Sequence, residues 1–379
     1  LFVQLNLKDE QKLNRKDMNR ILLLLFIIAG LSITGGPTLA QSRPAPEKDS
    51  VTRMLRFYED DDYINFWGCG TDNAYTNGSR IDYFYQPAHP PHGILGKFAP
   101  RAGAGSTDVY GWGLFEIMYT PDNLTKKEWQ PNDYQYAGAL VAIHTRYSYN
   151  PEKKYSLQTE LVMGVIGPSA LAGEIQTDFH RLIHYTKPMG WGHQFRNDVL
   201  LNLNVTAEKQ LLAAGKWLTI IGGARVYGGT MENGAALYPM LLIGKMDPYF
   251  NGFFSRYTSP GHDRRGRKNW QGYFLFKPEL QYYAQNALLQ GGLFTHNPNL
   301  QPDAGTGKDL PTSSSGALRQ AAPPAPKAPD LQPWLPAFTY GFVFTRGRVG
   351  FSMTENVSAS ALRNLYCHNV GNASLYIGW

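Results

Sequence analysis

Asn372-Ala-Ser-Leu-Tyr-Ile-Gly-Trp379 closes the chain, with Ala373, Leu375, Ile377 and Trp379 at every second position. A period of two is the signature of a strand with one apolar face. The same rhythm runs through Val349, Phe351 and Met353, which alternate with Gly350, Ser352 and Thr354. It recurs in Val199, Leu201, Leu203 and Val205, set against Leu200, Asn202 and Asn204. Working outward from these, the spacing predicts strands over 53–60, 79–86, 111–119, 137–149, 154–166, 194–206, 216–227, 234–245, 271–293, 337–345, 348–357 and 372–379. Gly, Pro, Asn or Asp bounds most of them. Twelve is an even number, as a closed bacterial barrel requires, and the last strand is expected to pair with the first. A soluble β-sandwich can end the same way, but the N-terminal export segment described next favours an all-β, twelve-stranded antiparallel transmembrane barrel.

Composition agrees with that choice. Aromatic residues are abundant (23 Tyr, 19 Phe, 8 Trp) and charged residues make up only 17%, which suits aromatic side chains placed at an interface. The net charge of +6 is small, and Arg264, Arg265, Arg267 and Lys268 form the one basic cluster, so nothing points to nucleic acid. Arg20 precedes the apolar run Ile21–Ala29, and Thr38-Leu39-Ala40 follows it. This reads as a signal peptide cleaved before Gln41, with Met18 as its start and 1–17 as upstream sequence. The expected organisation is therefore 1–40 removed, 41–50 a flexible lead and 51–379 the barrel. Within it, 294–336 is a Pro/Ala/Ser-rich stretch that cannot build a core.

Counting strands up and down from a periplasmic start assigns each connection a side. Four polar stretches then meet at the outer end. One is Tyr58-Glu59-Asp60-Asp61-Asp62-Tyr63, whose acids suit a hard cation such as Ca²⁺ or a solvated rim. Others are Thr71–Gly78 and the loop after Tyr119-Thr120-Pro121 that carries Lys126 and Lys127. The fourth is 161–184, a strand that breaks at Gly167-Pro168 and turns helical. There Leu171, Ile175, Phe179 and Leu182 mark an apolar face, while Gln176 and His180 share a neighbouring stripe. A satisfied or solvent-facing histidine is the ordinary explanation of that pair. The meeting of four separate stretches at one end argues for a site.

In order, Tyr58-Glu-Asp-Asp-Asp-Tyr63, the 71–78 run TDNAYTNG, Tyr119-Thr-Pro121, Tyr136-Ala-Gly138, Gly164-Val-Ile-Gly-Pro168, Glu174–Arg181 and the 190–194 run GWGHQ resemble the outer-membrane lipid A 3′-O-deacylases, the LpxR family. The resemblance runs from about residue 54 to the end and is densest up to Asp198. It implies a twelve-stranded barrel with a short helix in an outward-facing loop. It also implies Ca²⁺-dependent hydrolysis of an acyl ester of lipid A in the outer leaflet of the outer membrane. Carried over residue by residue, His180 is the general base and Gln176 supports it. Thr76 belongs to the site, Asp60 and Asp61 hold the metal, and Lys126 lies near a substrate phosphate or oxyanion. An imidazole, with its unperturbed pKa near ~6.5, suits the role of base at neutral pH.

The expected partners are lipid A or lipopolysaccharide and membrane lipids, with the chain acting as a monomer. An outer-membrane phospholipase and a non-catalytic barrel (pore or adhesin) are the alternatives. Asp stands at 60 where the family has Asn, so the register can slip and make Asp62 a ligand. No acidic residue lies between His180 and Asp198 to orient the base. Cys69 and Cys367, the only cysteines, fall in loops flanking the closing strands, and either a disulfide or two free thiols fits export.

Overall fold

The computed structural model describes residues 51–64, 74–89, 91–263, 266–295, 330–366 and 368–379. Twelve antiparallel strands form one closed barrel: β1 (Arg53–Asp61), β2 (Ala74–Tyr85), β3 (Thr107–Thr120), β4 (Ala137–Asn150), β5 (Tyr155–Ile166), β6 (Asp198–Ala214), β7 (Leu218–Gly229), β8 (Glu232–Lys245), β9 (Trp270–Asn286), β10 (Trp334–Arg346), β11 (Val349–Ser358) and β12 (His368–Gly378). Each strand pairs with its sequence neighbours, and β12 closes on β1 from Met54↔Gly378 to Asp61↔Gly371. The expected final strand is therefore the closing one. Three short helices sit in connections: α1 (Ile94–Phe98), α2 (Ala172–Leu182) and α3 (Ala287–Gln290). No helix among the described residues is long and apolar enough to cross a membrane. The expected signal segment and 41–50 lead, most of the 294–336 stretch and both cysteines lie outside the described residues.

Alternation decides which side each residue takes. Val199, Leu201 and Leu203 are exposed on the outer face, whereas Leu200 and Asn202 are buried inside. Phe57, Ile81 and Leu114 likewise form an exposed apolar row across β1, β2 and β3. The interior is polar, and several of its charges are paired. Asp82, 1% exposed, receives Arg56 at 2.6 Å and Arg80 at 2.9 Å, while Glu279 pairs with Arg225 at 3.1 Å and Lys277 at 3.2 Å. Unpaired, each of these buried ions would lose hydration with nothing in return.

Among the described residues the lumen is no open channel. The connection between β8 and β9 folds back into it and buries Phe250, Phe253 and Phe254 against Phe84, Tyr147 and Tyr273. Arg256 lies 3.5 Å from the centre of the Tyr249 ring and donates to the Tyr147 hydroxyl. Beyond this plug remains a polar cavity of ≈ 170 Å³, lined by Arg56, Arg80, Glu160 and Glu208 among others. Towards the outer end, Tyr119, Tyr134, Leu289 and Leu362 pack together.

Three strands differ most from expectation. β2 begins at Ala74, ahead of 79, because a bulge at Thr76 breaks the alternation. β6 runs from Asp198 to Ala214, later than the expected 194–206, and carries a bulge at Leu211. β9 stops at Asn286, short of 293, where the Asn286 side chain accepts from the Leu288 N–H and starts α3.

Candidate functional site

The site lies between α2 and the outside of the barrel wall. Gly167 opens the connection with φ +98°, a left-handed conformation open to glycine, and a Cβ there would meet the Arg196 and Asn197 backbone within 2.7 Å. Its N–H bonds to Gly138 O at 2.8 Å, which anchors the turn to β4. Gly138 also lets the helix come close, because a Cβ at 138 would lie 2.3 Å from the Ala172 Cβ. The helix packs on β3 and β4, and Met118, Leu124, Tyr136, Ala172 and Trp191 form a small apolar cluster at its start.

The orientation of α2 is the informative feature. Gln176 and His180 are 3% and 4% exposed, while Ile175, Phe179 and Leu182 are 48%, 52% and 74% exposed. A soluble protein would bury the apolar stripe. Here the polar pair faces the wall, and the apolar stripe faces the same surroundings as the barrel's outer apolar row.

His180 Nδ1 lies 2.5 Å from the Thr186 carbonyl oxygen. A carbonyl only accepts, so Nδ1 is the protonated nitrogen of this contact, and in the neutral tautomer that this specifies Nε2 is the acceptor. The acidic residue missing after His180 is thus replaced in orienting the ring by a backbone oxygen. No side-chain pattern could have revealed this. The Tyr185 ring packs edge-on against the imidazole at 5.1 Å. Gln176 is fixed at one end, where its Oε1 accepts from Trp191 Nε1 at 2.8 Å, and its buried Nε2 has no hydrogen-bond partner among the described residues.

The wall contributes Asp61 and Thr76. Asp61 pairs with Asn77 across β1 and β2 on the outward face and interacts electrostatically with His180. Thr76, at the bulge, is buried; its hydroxyl meets that of Thr120 at 2.6 Å, and its carbonyl accepts from the Asp62 N–H at 3.2 Å. Asp60 is turned the other way, into the lumen. There its carboxylate accepts from Tyr58 at 2.5 Å, Tyr75 at 3.1 Å and Asn372 at 3.0 Å. Neighbours on a strand point to opposite faces, so Asp60 and Asp61 do not face a common ligand across the wall. Asp62 is buried at the start of the next loop. Lys126 is exposed, and its backbone runs beside Gly190, where Met189 N–H bonds to Leu124 O at 2.8 Å. No hydrogen bond or ion pair joins Lys126 to His180 or Asp61 among the described residues.

No cluster of three or more His, Cys, Asp or Glu side chains among the described residues is disposed to hold a metal ion. The Asp61 carboxylate, the Asn77 amide and the Thr76 hydroxyl, on adjoining residues of β1 and β2, nonetheless carry oxygens of the hard type that Ca²⁺ takes, commonly with backbone carbonyls and water. Two residues that bear on the site escaped the sequence reading. Trp191 is visible only as part of a motif. Glu116, on β3, is a lone charge among the outward apolar residues Trp112, Leu114 and Met118, and that was its available signal.

The comparisons agree with this architecture. A family model described as outer membrane protein LpxR matches residues 23–309. The structure of LpxR from Salmonella typhimurium is similar at a TM-score of 0.63 and 15% identity, covering 86% of this chain and 100% of that one. The beta domain of the Bordetella autotransporter BrkA matches at a TM-score of 0.41 and 8% identity over 87% of this chain and 100% of that one, too distant to add to the argument. Among curated proteins no sequence match is found. The chain belongs to the LpxR family of outer membrane proteins, and the outer membrane is where its closed twelve-stranded barrel resides.

Proposed function

We propose that the protein is a lipid A deacylase, a carboxylic ester hydrolase that removes an acyl chain from lipid A in the outer leaflet, with His180 as general base. One observation carries the reading: a buried, oriented histidine lies within electrostatic reach of an aspartate on the lipid-facing side of the wall, on a helix whose apolar stripe is exposed. Such a site opens sideways towards the acyl region of a lipid rather than into the lumen. The family supports lipid A as the substrate.

In this mechanism His180 Nε2 takes a proton from a water molecule, whose oxygen attacks the ester carbonyl. The ester C–O bond then breaks, and the imidazolium returns its proton to the departing alkoxide. Thr186 O holds the ring in register throughout. Gln176 Nε2 is a buried donor on the same helix face, one turn before the base, suited to an oxygen of the substrate. Asp61, Thr76 and Asn77 would hold the Ca²⁺ that the family resemblance implies. When bound, that ion supplies positive charge against the developing carbonyl oxyanion. Asp60 is not included, because its carboxylate is engaged inside the barrel. Lys126 keeps the weaker role of meeting headgroup phosphates from the adjoining loop.

The pore alternative conflicts with the plugged lumen, and the phospholipase alternative differs only in headgroup. One assay separates them: fatty acid release from purified lipid A and from phospholipid, each in detergent micelles. Lipid A should be the better substrate. His180→Ala should cost on the order of 10²–10⁴ in rate while the barrel still migrates differently before and after boiling. A folded His180→Ala protein that works at near the parent rate would refute the assignment.

A further inference from the structure

Just beyond the exposed row Phe57–Ile81–Leu114 lies a second row across the same strands, Glu59, Ser79 and Glu116, all on the outward face. Glu116 belongs to one of the two strands on which α2 packs, and it is 7% exposed. Neither of its carboxylate oxygens has a hydrogen-bond partner among the described residues. Glu59 is half-buried; its oxygens accept from Asn77 Nδ2 at 2.5 Å and Ser79 Oγ at 2.8 Å. The two carboxylates, on β1 and β3 with Ser79 of β2 between them, act on each other as like charges.

A desolvated carboxylate is strongly unfavourable without a counter-charge or donors, and a like charge alongside makes it more so. Protonating Glu116 would relieve the charge but leave a buried hydroxyl with nothing to accept its hydrogen. Elsewhere in the barrel, the buried acids Asp82 and Glu279 are matched with guanidinium or ammonium groups, and Asp60 is held by three hydrogen-bond donors. No basic side chain is paired with Glu116 or Glu59 among the described ion pairs.

We propose that Glu59 and Glu116, with Ser79 between them, form a binding site for a hard divalent cation such as Ca²⁺ or Mg²⁺ on the outer face of the wall. It lies one outward row below Asp61 and Asn77. Two carboxylates and a hydroxyl are suitable ligands, and lipid or water oxygens can complete the shell. At the upper edge of the apolar band, the ion neutralises the pair where anionic headgroups would otherwise meet two negative charges. The site does not depend on the catalytic role given to His180.

The test is equilibrium dialysis of ⁴⁵Ca²⁺ against the purified full-length protein in a detergent free of phosphate. Parent, Glu116→Gln, Glu59→Gln and Asp61→Asn proteins are compared, each first shown to be heat-modifiable. Glu116→Gln and Glu59→Gln should each lose one bound ion per chain, or weaken its binding on the order of tenfold, as expected when a charged ligand is removed. Asp61→Asn should retain that ion. If Glu116→Gln does not fold, Glu59→Gln, which alters a less buried side chain, decides alone. Parent-like binding in the glutamine variants would overturn the proposal, as would loss of this same ion in Asp61→Asn. Loss of activity in His180→Ala or Asp61→Asn with this ion retained would separate the catalytic reading from this one.

Discussion

Adding a single methyl group to the wall tests whether the gap between α2 and β4 sets the catalytic geometry. In Gly138→Ala the new Cβ would lie 2.3 Å from the Ala172 Cβ. Carbon atoms pack best at about 3.5–4.0 Å, so helix and wall must part locally by roughly 1.2–1.7 Å. Overpacking of this kind costs about 1–3 kcal/mol. It should fall on the helix, since α2 is no part of the strand ladder that closes the barrel. His180 rides on the helix and Asp61 on the wall, so their separation changes. A misplacement of about 1 Å can cost on the order of 10² in rate. Fatty acid release from lipid A micelles should therefore drop by about that factor, with the boiled-versus-unboiled gel shift unchanged. Ala172→Gly in the same chain removes the opposing methyl group and should restore most of the rate, less about 1 kcal/mol of helix propensity. Near-parental activity in Gly138→Ala, or a double variant no better than the single, would show that this spacing does not position the base.

Other outcomes follow from single contacts. Trp191→Phe removes the donor to Gln176 Oε1, and a hydrogen bond worth about 0.5–1.5 kcal/mol implies a loss of a few-fold to about tenfold in rate, with folding intact. Asp60→Asn should stay within a few-fold of the parent because its partners are luminal, whereas Asp61→Asn should lose most activity; equal losses would mean that the two carboxylates act together. Arg256→Ala leaves Glu208, 3.9 Å away, without its cation. Breaking a buried pair typically costs about 3–5 kcal/mol, so the temperature of the gel shift should fall while lipid A turnover, at the opposite end, holds.

Much of the fold was legible because lipid outside and a polar, paired interior inside impose the strongest period-two pattern a strand can carry. Val199–Val205 and Ala373–Trp379 declare their faces residue by residue. Legibility failed where the pattern changes phase. The bulges at Thr76 and Leu211 shift one strand against its neighbour without any distinctive residue, and the end of β9 depends on a cap at Asn286. At the site, Gln176 and His180 could be placed on one stripe from spacing alone. Periodicity cannot say which stripe of an amphipathic helix is buried when the surroundings are themselves apolar. Asp60 and Asp61 look equivalent in a run of acids, and only strand register sends them to opposite sides. The Thr186 carbonyl could not be anticipated, because backbone oxygens carry no sequence signature.

The exposed Ile175, Phe179 and Leu182 stripe also bears on how the reaction should be measured. A centre that opens sideways beneath such a helix meets its substrate by diffusion in two dimensions. On the proposed function, turnover then follows the mole fraction of lipid A in the surface rather than its bulk molarity. Diluting lipid A with inert detergent at fixed total amount should slow the enzyme, and adding buffer alone should not. The released fatty acid enters the same surface, so it dilutes and competes with substrate from the first turnover. Progress curves should bend early unless the acid is extracted.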